Sequence, residues 1–188
     1  MDITNPEAFN FLYISPENKD DIQEFIKIAT TLIKQNKIVL LFTRQHVDFM
    51  SSLVGLNKEQ MKHFIISYHS DIKTIIGKLL ELHEWTFVPD LVLLNLNSFY
   101  DFPNGDRTEA EPQPQVQTVT KPRFDEVCFC ISTLLNYMLF LREKKCSKSV
   151  VMLNSHSDVN IQILVDFYFY KMAAFDVIAE VQNKILNI

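Results

Sequence analysis

The sequence predicts one α/β domain in which a mostly parallel sheet is covered by helices on both faces. Three observations predict it. The 188 residues are 47% hydrophobic and 12% aromatic, which supplies a core without disulfide or metal staples. Short apolar runs such as Ile38 to Phe42 (IVLLF) suit strands buried on both sides. These runs alternate along the chain with stretches of helical periodicity, the order in which crossover helices join parallel strands.

Phe9 to Ile14 (FNFLYI), closed by Ser15-Pro16, is the first expected strand. A helix follows over Ile22 to Asn36, with Ile22, Phe25, Ile26, Ala29, Leu32 and Ile33 spaced by threes and fours and with Asp20 and Asp21 at its positive end. Ile38 to Phe42 is the second strand and His63 to Tyr68 the third. Asp71 to about Trp85, capped by Ser70 or Asp71, is a helix, and Leu91 to Leu96 behind Pro89 is a strand. Asp101 to Pro122, with four prolines and the polar run TEAEPQPQVQTVTK, is expected to be a mobile internal loop. Phe124 to about Lys145 is expected to be helical, Ser149 to Leu153 a strand, Val159 to about Tyr170 a helix, and Phe175 to Val181 a last strand.

Composition excludes several functions. Gly55, Gly77 and Gly105 are the only glycines and stand far apart, so neither GxGxxG nor GxxxxGK[ST] exists. The net charge of −5 argues against a free-standing nucleic-acid binder. Cys128, Cys130 and Cys146 form no CxxC pair and point to a reducing compartment, while the five histidines show no HExxH or paired-ligand spacing, so no metal site is expected. Met1 to Asn10 lacks the pattern of a signal or transit peptide. The uncharged stretch Val127 to Leu141 has 15 residues, short of the roughly 18 to 20 of a membrane span, and is expected to be a buried helix.

In a parallel sheet, ligands collect beyond the carboxyl ends of the strands, which places Ser15 to Asp21, Thr43 to His46, Asn95 to Ser98 and Asn154 to Asp158 under scrutiny. Asp20 and Asp21 would repel a phosphate there, and Asn95 is neutral where magnesium would want a carboxylate. Asn154, Ser155, His156 and Asp158 are chain neighbours, which do not arrange themselves as nucleophile, base and orienter. No catalytic, cofactor or metal residue is therefore assigned.

Arg142, Lys144, Lys145 and Lys148 form the one basic cluster, either a solvated helix end or a row of phosphate contacts. Apolar residues surround the helix beginning at Phe124, which makes it either central to the core or a partner surface. The aromatic run Phe167 to Tyr170 suits an interface. Phe129, Leu135, Phe140, Phe167 and Phe169 are the partner-interface candidates.

The element order resembles a RecA-like recombinase core. FLYI, SPENKDD and IQEFIKIATTLIK are similar to that family's first strand, phosphate loop and helix, and IVLLFT to its second strand. DLVLLNLNSFYDF resembles the strand carrying the magnesium-binding acid, and SVVMLNSHSD with NIQILVDFYFY the strand, second DNA loop and helix that follow. Within the family the chain is most similar to the small recombinase paralogues of the Shu complex, the ATPase-like kind that associates with a SWIM-domain zinc protein. The resemblance implies a nuclear subunit, partnered by a SWIM-domain zinc protein or recombinase paralogues, that supports recombinase filaments on single-stranded DNA in homologous recombination. Both nucleotide motifs are degenerate: Ser15 and Asp20 stand near the glycine positions, no lysine ends the loop, and Asn95 replaces the acid. The expectation is a non-catalytic subunit without cofactor or membrane contact, reaching single-stranded DNA through its complex. The competing expectation is a small α/β enzyme or nucleotide-dependent switch using Thr43, Asn95 and Asn154.

Overall fold

The computed structural model describes residues 9–16, 21–44, 55–100, 121–142, 147–155, 159–169 and 174–186. The strands are β1 (Asn10–Ser15), β2 (Val39–Thr43), β3 (Phe64–Tyr68), β4 (Leu91–Asn95), β5 (Lys148–Asn154) and β6 (Ala174–Phe175). The helices are α1 (Ile22–Lys34), α2 (Lys58–Met61), α3 (Ile72–Glu81), α4 (Phe124–Arg142), α5 (Ile161–Phe167) and α6 (Ile178–Leu186). The strands form one sheet in the order β3-β2-β4-β5-β1-β6. Every pairing is parallel, with Leu12 opposite Val151 and Leu40 opposite Val92. This is the expected α/β domain, its sheet wholly parallel.

Side-chain alternation divides the interior in two. Leu12, Leu40, Phe42, Val92, Leu94, Val151 and Leu153 meet α3, α4 and α5 on one face. Phe11, Tyr13, Val39, Leu41, Leu91, Leu93, Val150 and Met152 meet α1 and α6 on the other. The apolar runs follow from this: a strand wedged between helices has no solvent side on which to place a polar residue.

Asp71 caps α3, accepting from the Thr74 backbone N–H at 2.9 Å. The short α2 was not foreseen; Asn57 and Gln60 close a capping box around it, the Asn57 side chain accepting from the Gln60 N–H at 2.8 Å and the Gln60 side chain from the Asn57 N–H at 3.0 Å.

The expected strand at 175–181 is corrected. Only Ala174–Phe175 pairs with β1, and the chain turns into α6, whose Val181 and Ile185 are four residues apart and buried against the α1 side of the sheet. Burial of that stripe outweighs the strand propensity of the FDVIAEV stretch. Helix α4 is described over Phe124–Arg142, and its expected end near Lys145 lies outside the described residues. The expected mobile loop at 101–122 lies outside the described residues except for Lys121 and Pro122.

Candidate functional site at the strand ends

The carboxyl ends of β1, β2, β4 and β5 bring Ser15, Thr43, Asn95 and Asn154 to one edge of the sheet, all buried. The 3-10 turn Leu96–Phe99 adds Asn97 and Ser98. Strands remote in sequence are tied together here. The Asn95 Nδ2 donates to Thr43 Oγ1 at 3.3 Å, linking β4 to β2. The Asn97 Nδ2 donates to Ser15 Oγ at 2.9 Å, linking the end of β4 to β1. Ser98 Oγ donates to the Asn95 carbonyl at 2.8 Å and accepts from the Arg44 backbone N–H at 2.9 Å. The Ser155 N–H donates to the Ser15 carbonyl at 3.1 Å.

These described groups are uncharged amides and hydroxyls, and they are engaged with one another. Such a set satisfies most of its buried polar atoms, Asn97 Oδ1 excepted, and offers a divalent cation no carboxylate. Among the described residues no group of three or more His, Cys, Asp and Glu side chains could hold a metal.

Charge enters at the head of α1. Asp21 precedes the first helical turn, is buried, and accepts from the Tyr13 hydroxyl at 2.5 Å. Burial, followed by the Asp21 carboxylate, pushes the Tyr13 hydroxyl well above its ordinary pKa, so it stays a donor. The positive end of α1 thus faces a carboxylate belonging to the chain itself. Residues 17–20 of the expected phosphate-loop counterpart lie outside the described ones.

At the end of β3, His69 Nε2 lies 2.7 Å from Ser67 Oγ and its ring lies against Phe42. Burial, then Lys78, lowers its pKa below the ordinary histidine value, with Asp71 opposing. Sequence reasoning missed this pair and the Tyr13–Asp21 bond; the only signal for either was a polar group inside an apolar run.

Of the nucleic-acid candidates, Lys148 alone has a described side chain. Lys148 is buried at the start of β5 and its Nζ donates to the Lys184 carbonyl in the last turn of α6, completing a helix end instead of facing solvent. Arg142 is the last described residue of α4, and Lys144 and Lys145 lie outside the described residues, as do His156 and Asp158 of the strand-end set.

The interface candidates separate. Phe167 is 80% exposed, Phe129 56% and Phe140 37%, while Leu135 is half-buried. Phe169 is corrected: it is buried, because the chain bends under the end of α5, where the Phe169 N–H donates to the Leu164 carbonyl at 3.2 Å. Helix α4 is long and apolar enough to cross a membrane by length and composition. Its Val127, Cys130, Ile131, Leu134, Met138 and Leu141 are nevertheless buried in the core shared with α3, which makes it a core helix. Burial there pushes the Cys130 thiol up to about 12.

No family model matches this chain, and no curated protein matches it. Among solved structures it is similar to the pCW3 conjugation coupling protein TcpA in its monomer form with ATPγS, at 14% identity and a TM-score of 0.31. The match covers 79% of this chain and 43% of that one, so the chain spans less than half of the protein it resembles. A likeness of that size speaks to neither site nor chemistry.

Proposed function

We propose that this chain is a non-catalytic RecA-like subunit of a Shu-type recombination complex, acting in the nucleus through protein contacts to support recombinase filaments on single-stranded DNA. The observation that carries the non-catalytic part is the neutral strand edge: Asn95 spends its amide on Thr43 at the position where the resemblance requires a metal-binding carboxylate. Asp21 at the head of α1 adds to it. Two like unit charges 4 Å apart repel by about 4 kcal/mol at an effective dielectric of 20, which opposes a phosphate at that helix end.

The enzyme or nucleotide-switch reading is the weaker one, because Thr43 and Asn95 are bonded to each other and carry no charge. The partners, a SWIM-domain zinc protein or recombinase paralogues, follow from the resemblance. Exposed Phe167 and Ile163 on α5 offer them apolar surface. The chain's acidity assigns DNA contact to the complex.

Calorimetric titration with magnesium and ATP tests the reading first, with no heat of binding expected. Reconstituted filament assembly on single-stranded DNA tests the rest: the complex should stimulate it equally with wild-type chain and with Asn95→Ala. Micromolar nucleotide affinity, or loss of stimulation by a folded Asn95→Ala chain, overturns the non-catalytic reading. Failure to stimulate filament assembly at all overturns the recombination role.

A further inference from the structure

We draw no further inference here: the strongest candidate, the outward stripe of α4 at Phe129 and Leu139 with the groove that Phe129 lines against Lys73 and Ile76 of α3, is an apolar helix face, and nothing in the structure shows what covers it.

Discussion

Helices α1 and α4 lie on opposite faces of the same sheet, yet only α1 keeps a mainly polar side toward solvent. In α1, Phe25, Ile26, Ala29, Leu32 and Ile33 are buried, while Lys27, Thr31 and Lys34 are exposed. In α4, Val127, Ile131, Leu134 and Met138 are buried, while Phe129, Leu139 and Phe140 remain outside. The two inner faces do the same job. The outer faces differ, and an apolar outer face on a well-packed core helix marks a surface selected for something other than this chain's own folding.

The comparison is sharpened first at the inner faces, where the largest effects belong. Phe25→Ala in α1 should cost about 3–5 kcal/mol and Ile131→Ala in α4 about 2–5 kcal/mol, since both side chains are fully enclosed. Chemical denaturation measures both. A loss below about 1 kcal/mol for Ile131→Ala would show that α4 packs more loosely than a core helix does.

A smaller effect is expected where α1 starts. Tyr13→Phe removes the hydroxyl that donates to the buried Asp21, and a buried acceptor deprived of a donor costs about 1–3 kcal/mol. The same melts would read it. No loss at all would mean that water reaches the carboxylate and that the head of α1 is open.

Below that comes the cap of α3, the helix beside α4. Asp71→Ala should cost about 1 kcal/mol at neutral pH. The Thr74 N–H is the chief cause holding the Asp71 carboxyl below its ordinary 3.8. A folded pKa below the unfolded one means that the contribution is fully present above about pH 4 and is lost as the pH falls through the folded value. The gap between wild-type and Asp71→Ala stability should accordingly close in acid. A gap that widened there would show that Asp71 acts through something other than its carboxylate.

The smallest effect is expected on the outer face of α4. Leu139→Gln, at a side chain 51% exposed, should change stability by no more than about 0.5 kcal/mol in dilute protein. Thermal melts at low concentration check it. A cost above about 2 kcal/mol would mean that the outer face is part of the monomer's own core, and the contrast with α1 would collapse.

Much of the fold was legible because the relevant physics is local or periodic. The uninterrupted apolar runs IVLLF and LVLL announce strands without a solvent side, the spacing from Ile22 to Ile33 announces an amphipathic helix, and Asp71 announces a cap. Alternation of these units is sufficient for a parallel sheet. The neutrality of Asn95 and the acidity before α1 were also plain in the letters, and both bear directly on the strand-end site.

Long-range placement decided everything else. Lys148 joins a basic cluster in one dimension but starts a strand whose neighbours bury it, and its amine serves the end of α6. Phe167 and Phe169 belong to one aromatic run, yet a bend separates them into an exposed and an enclosed residue. The segment after Phe175 has strand-forming residues but pairs no further along β1, and a helix buries Val181 and Ile185 instead. Periodicity tells which residues share a face; only the packing of distant segments tells which face is covered, because burial is a property of the neighbours a residue acquires.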